Sequence, residues 1–191
     1  MSSQATLGIL LALTATACFQ KNKEVTSATA KDTSSVKERT TTEGNLVVEV
    51  DLDGDGSPDI YNYFKQLDDE GRLLLRKEMD LNQDSRIDVW SFYTELGALE
   101  REEMDGDFDG NVDWIDHYQG GKRVLSEVDS EFDGQIDLWK FYENERVRRK
   151  ERDSNGDGMV DYWEYLNDDG QVVKTGRDVD GDGQMDIRDD L

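Results

Sequence analysis

The sequence predicts a mainly β protein built from tandem β-hairpin repeats, and three observations carry that prediction. An acidic nine-residue segment recurs six times at near-constant spacing. Each of the first five copies is followed by a run in which large aromatic or aliphatic residues alternate with polar ones, the period-2 pattern of a strand. Turn formers close each run, and a second extended run then leads into the next acidic segment.

The six segments are DLDGDGSPD (51–59), DLNQDSRID (80–88), DGDFDGNVD (105–113), DSEFDGQID (129–137), DSNGDGMVD (153–161) and DVDGDGQMD (178–186). Their starts lie 29, 25, 24, 24 and 25 residues apart. Position 1 is always Asp (Asp51, Asp80, Asp105, Asp129, Asp153, Asp178), as is position 5 (Asp55, Asp84, Asp109, Asp133, Asp157, Asp182). Position 9 is also Asp throughout (Asp59, Asp88, Asp113, Asp137, Asp161, Asp186). Position 3 is Asp53, Asn82, Asp107, Glu131, Asn155 and Asp180, and position 6 is Gly in every copy but the second, which has Ser85.

This spacing has a chemical reason. Ca²⁺ takes six to eight hard oxygen ligands, and carboxylates at alternate positions 1, 3 and 5 of a tight loop point to one centre. Glycine at position 6 permits the sharp turn that brings the carbonyl of position 7 to the same centre, and position 9 adds a further oxygen. The competing reading is a set of Asx turns satisfied by their own backbone. That reading leaves unexplained why four carboxyl or amide groups recur in each loop, where unneutralised charges repel. The expectation is up to six Ca²⁺ sites.

The loops resemble the D-x-D-x-D-G loops shared by EF-hands, dockerins and thrombospondin type 3 repeats. The EF-hand ligand at position 12 is only partly present: Asp116, Glu164 and Asp189 qualify as candidate ligands, whereas Asn62, Ser91 and Lys140 break the pattern. The resemblance therefore implies calcium loops without EF-hand helix pairs. It also implies affinities towards the ~10⁻⁴–10⁻³ M of extracellular modules, with the second and fourth loops weakest.

Between the loops stand IYNYF, VWSFY, WIDHY, LWKFY and YWEYL, then turns such as Gly120-Gly121 and Asp168-Asp169-Gly170, then a second run. Each unit reads as loop, strand, tight turn, strand, giving a meander or hairpin solenoid. A dockerin-like alternative draws IDVWSFYTELGALEREEMD as a helix with Ile87, Trp90 and Tyr93 on one face. The glycines of the equivalent segments break such a helix. Trp90, Trp139 and Trp163 read either as a core shared between repeats or as an exposed ladder for a polysaccharide or protein partner. A Glu recurs two residues before each of the first five loops (Glu49, Glu78, Glu103, Glu127, Glu151), interrupted at Gly176. It serves either as an extra metal ligand or as a partner for strand Arg and Lys.

The N-terminus carries an address. Leu7–Leu13 is apolar and too short to span a bilayer, which fits the core of a secretory signal. Thr14-Ala15-Thr16-Ala17 and the single Cys18 follow it, and this junction resembles the lipobox of bacterial lipoproteins. The resemblance implies cleavage before Cys18, thioether lipidation and N-acylation (palmitate), hence a membrane tether. Phe19 in place of Asp implies the outer membrane, with the chain facing the periplasm or the cell surface. The expected organisation is a signal peptide at 1–17, a lipidated Cys and disordered Ser/Thr/Lys tether at 18–45, and the six-copy repeat domain at 46–191.

Charge excludes other classes. The chain has 191 residues, 22 Lys+Arg, 45 Asp+Glu and a net charge of −23, which argues against nucleic acid and against docking on anionic lipid. One Cys and one His exclude an intramolecular disulfide and multi-His metal sites. No nucleophile–base set is visible, so no enzyme is expected. Residues 46–191 hold 17 basic and 41 acidic residues, a charge of −24 that six Ca²⁺ ions would bring to −12.

Overall fold

The computed structural model describes residues 35–68 and 71–191. These residues are all β, as expected. The strands are β1 (Ser35–Thr40), β2 (Leu46–Asp51), β3 (Ile60–Gln66), β4 (Arg72–Met79), β5 (Val89–Tyr93), β6 (Leu99–Met104) and β7 (Trp114–Gln119). They continue through β8 (Lys122–Val128), β9 (Leu138–Glu143), β10 (Arg146–Arg152), β11 (Tyr162–Leu166), β12 (Val172–Arg177) and β13 (Ile187–Asp190). All pair antiparallel in chain order in a single open sheet. The predicted hairpin repeat is therefore a meander, and the helix drawn over IDVWSFYTELGALEREEMD is instead β5, its turn and β6. The segment expected to be a signal peptide, Cys18 and the expected tether up to residue 34 lie outside the described residues.

The boundary at residue 46 needs correction. Residues 35–40 form β1, paired with β2 from Ser35↔Asp51 to Thr40↔Leu46. The strand was illegible because Val36 is its one large apolar residue. Pairing holds it instead, through the β2 backbone and the Arg39–Glu49 ion pair.

The meander sends every acidic loop to one end of the sheet and every tight turn to the other. The sheet is one layer thick, so side chains on both faces must stabilise it without a conventional core. Among the described residues only Val47, Val89, Val128, Leu138 and Trp163 are buried large apolar residues, whereas nine aspartates are buried. Cross-strand rows replace the core. On one face, Glu49, Tyr61, Glu78, Trp90, Glu103, Ile115, Glu127, Trp139, Glu151 and Trp163 stand side by side on successive strands. The next row alternates aromatic and basic residues. Arg76 lies over Tyr63 at 4.1 Å, Arg101 over Phe92 at 4.5 Å and Arg149 over Phe141 at 4.0 Å.

The recurrent Glu is thereby resolved as a strand partner. Arg76–Glu78 (3.1 Å), Arg101–Glu103 (3.1 Å) and Arg149–Glu151 (3.2 Å) join residues two apart on the same face, and His117 lies 3.7 Å from Glu127. Gly176 interrupts the row because a Cβ there would meet the Met185 Sδ at 2.4 Å. The thioether occupies the space that Glu fills elsewhere.

Each such Arg covers a ring, shields backbone with its stem and meets a Glu. Arg149→Ala is expected to cost about 1 kcal/mol, since the site is partly exposed and its ion pair is screened. A urea-melt midpoint equal to wild type would contradict this account of the row.

Candidate metal centres

The loops are held by aspartates that serve first as acceptors for backbone N–H groups. In the first loop the Asp51 carboxylate accepts from Gly54 N–H (2.6 Å) and Gly56 N–H (3.1 Å), and Asp59 accepts from Leu52 N–H (2.6 Å). The pattern recurs. The position 6 N–H of Ser85, Gly110, Gly134, Gly158 and Gly183 donates to the position 1 Asp at 2.6–2.8 Å. The position 9 Asp receives the position 2 N–H in all six loops, from Leu52, Leu81, Gly106, Ser130, Ser154 and Val179. Asp55, Asp84, Asp109, Asp133, Asp157 and Asp182 each accept from the N–H of position 7.

To aim these N–H groups inward, the backbone turns left-handed twice per loop, at positions 4 and 6. The sequence reading identified only position 6. Glycine at position 4 in three copies (Gly54, Gly156, Gly181) was the available signal. Gln83 (φ 61°), Phe108 (φ 67°) and Phe132 (φ 59°) adopt the same conformation against the steric preference of L-residues. The second loop carries this strain twice, at Gln83 and at Ser85 (φ 70°), each worth roughly 1–2 kcal/mol.

The loops are also stitched to one another. The position 1 N–H of each later loop donates to the position 9 carbonyl of the loop before it: Asp80→Asp59, Asp105→Asp88, Asp129→Asp113, Asp153→Asp137 and Asp178→Asp161, at 2.8–3.0 Å. Asp59, Asp88, Asp105, Asp113 and Asp129 are at most 4% exposed or buried close to it, with Asp88 and Asp129 at 1%.

Carboxylate oxygens of positions 1, 3 and 9 converge in three loops. Those of Asp51, Asp53 and Asp59 lie within 4.8 Å of one another, as do those of Asp105, Asp107 and Asp113, and those of Asp178, Asp180 and Asp186. Two oxygens each about 2.4 Å from one cation can be no more than about 4.8 Å apart, so each triad can hold a metal ion. Asn82, Glu131 and Asn155 stand at position 3 of the other loops and belong to none of these triads. Position 5 also stays outside them.

The position 12 candidates have partners of their own in the sheet. Asp116, Glu164 and Asp189 lie in β7, β11 and β13, outside the three triads. Arg123 pairs with Asp116 (3.1 Å), Lys150 with Glu164 (3.0 Å) and Arg177 with Asp189 (3.1 Å). Trp114 Nε1 and Ser126 Oγ also donate to Asp116.

Two opposing influences set the titration of the loops. Burial works to raise the Asp129 and Asp153 carboxyls, but the surrounding backbone N–H donors overcome it and hold both below the ordinary value; Asp178 follows the same pattern. Asp107 is raised by desolvation together with Asp109, Asp113 and Asp105. Asp180 is raised chiefly by the charges of Asp182 and Asp186. Carboxylates crowded at position 3 beside depressed position 1 groups are the electrostatic setting a cation relieves.

No protein-family model matches the chain, and no curated protein matches its sequence.

A carboxyl with a depressed folded pKa contributes stability above its unfolded value and loses it as pH falls through the folded one. In metal-free buffer the melting temperature is therefore expected to drop below about pH 4 through Asp129, Asp153 and Asp178. Asp107 and Asp180 act in the opposite sense, since protonation relieves their repulsion. Asp129→Asn with Asp153→Asn should flatten the acid limb. A wild-type profile level from pH 5 to pH 2.5 would refute this assignment.

Proposed function

We propose that the protein is a calcium-binding structural or interaction scaffold of the bacterial cell envelope, anchored in the outer membrane by lipid on Cys18 and not a catalyst. The convergence of three aspartates in each of the loops 51–59, 105–113 and 178–186 carries the calcium part of this reading. The donor set consists of oxygen alone, without Cys or His, which suits a hard cation, and the loop's adaptable geometry suits Ca²⁺ better than the strict octahedron of Mg²⁺. The three triads are the tight sites. The other loops bind more weakly, the second least because of its Asn82 and its doubly strained turn.

A specific observation refines how the ion acts. Backbone N–H groups already satisfy the loop carboxylates. Calcium therefore adds stability to a sheet whose loops are pre-shaped, and repulsion between position 3 and its neighbours is what it removes. A scaffold of this kind presents strands, edges and faces to an envelope protein or polysaccharide at a distance from the membrane set by the tether.

Far-UV circular dichroism and thermal melts of the chain from residue 19, in calcium and in EDTA, test the calcium reading. One site held at a hundred times its Kd contributes about 2.7 kcal/mol, so three sites should raise the melting temperature by upwards of about 10 °C. Equal melting temperatures in the two buffers would sink it. For the anchor, Cys18→Ser should move the full-length protein from the membrane fraction to the soluble fraction and abolish incorporation of labelled palmitate. Unchanged fractionation and labelling would remove the lipoprotein assignment.

A further inference from the structure

A chain with 45 acidic and 22 basic residues has a carboxylate to spare for every cation. On the face opposite the Glu/aromatic row, Lys140 and Arg152 nevertheless lack one among the described residues. Lys140 and Lys150 are direct cross-strand partners on β9 and β10, a like-charge pairing that costs stability. Arg152 stands two residues beyond Lys150 and so shares its face. Lys150 pairs with Glu164 at 3.0 Å. Lys140 and Arg152 form no ion pair among the described residues, and Lys140 rests over the Trp114 ring at 4.2 Å. Burial lowers the pKa of Lys140, and the charges of Lys150, Arg123 and Arg152 add to the effect, against Asp116.

Beside this cluster opens a hollow of about 220 Å³ lined by Leu138, Lys150, Arg152, Tyr162 and Glu164. Leu138 forms a buried apolar floor, 7% exposed, and Tyr162 is half-buried at the side. The volume falls below the roughly 300–1,000 Å³ of sites for drug-sized ligands, so it suits one small ring or one anionic group.

We propose that this patch binds a carboxylate-bearing glycan, with the acid group on Lys140, Lys150 and Arg152 and the sugar ring against Tyr162. Glu164 already holds Lys150 at 3.0 Å, so Lys140 and Arg152, which have no carboxylate partner, supply most of the attraction for the acid group. Arginine adds the planar fork that matches a carboxylate, and a tyrosine ring offers an apolar plate with a polar rim. An acidic peptide is the less suitable occupant. Peptides join sheets along free edges, and β9, β10 and β11 are interior strands with both neighbours in place. The site shares no side chain with the three aspartate triads, so it does not rest on the calcium reading.

The test is titration of the whole chain with galacturonate oligomers in EDTA at low salt, followed by tryptophan fluorescence and calorimetry. EDTA prevents calcium from bridging the glycan to the loops. Saturable binding is expected, weakened about tenfold or more by Lys140→Gln or by Arg152→Gln and reduced by salt. Lys65→Gln, on β3 and outside the patch, should bind like wild type, and neutral galactose oligomers should not bind. Both patch variants should keep the wild-type dichroism, because Arg152 is exposed and losing Lys140 relieves a repulsion. The proposal is overturned if wild type does not saturate, if both patch variants bind as wild type does, or if poly-glutamate binds as tightly as galacturonate.

Discussion

Everything in this molecule depends on buried aspartates that point their oxygens at backbone N–H groups. A buried carboxylate without partners costs several kcal/mol, and a hydrogen bond to a charged group returns about 1.5–3 kcal/mol. Asp129, 1% exposed, is tolerable because its oxygens gather loop N–H groups from Glu131, Asp133 and Gly134. The same bonds close the loop, and the Asp129 N–H to the Asp113 carbonyl fastens it to the loop before. One residue type thus shapes the turn, aligns the adjacent hairpin and concentrates the charge that attracts a cation.

The strands solve a second problem. A one-layer sheet wets both faces, so its apolar side chains cannot all be hidden. Arg76, Arg101 and Arg149 cover the rings of Tyr63, Phe92 and Phe141 and hand their charge to a Glu two residues on. Half-buried Trp90 and Trp139 sit between glutamates in the neighbouring row, and Trp163 is 8% exposed. These tryptophans are thereby bound into the sheet's own packing. The opposite face is less evenly balanced, and its surplus cations gather at β9 and β10.

Period and spacing made most of this legible. The alternation in VWSFY or LWKFY, the glycine-rich turns and six copies in register led to hairpins in sequential order, with positions 1, 3 and 9 meeting in three loops. What stayed hidden depends on partners rather than on pattern. Strand β1 has no apolar stripe of its own and exists because β2 is beside it. The ion pairs of the position 12 acids with Arg123, Lys150 and Arg177 likewise follow from strand neighbours that loop spacing does not reveal. Left-handed Phe108 and Phe132 carry no conformational signature, since only the recurrence of glycine at the equivalent position in other copies marks the turn. The cation cluster of the second face emerges only when register puts Lys140 opposite Lys150.

The nearest-neighbour pairing of the thirteen strands makes the sheet extensible in steps. Each strand touches only the two beside it, so duplicating one unit of 24 or 25 residues inserts two strands and leaves every other pairing intact. Each insertion lengthens the sheet by two strand spacings, about 10 Å. Reach can thus be set in fixed increments by gene duplication, without redesign of any existing contact.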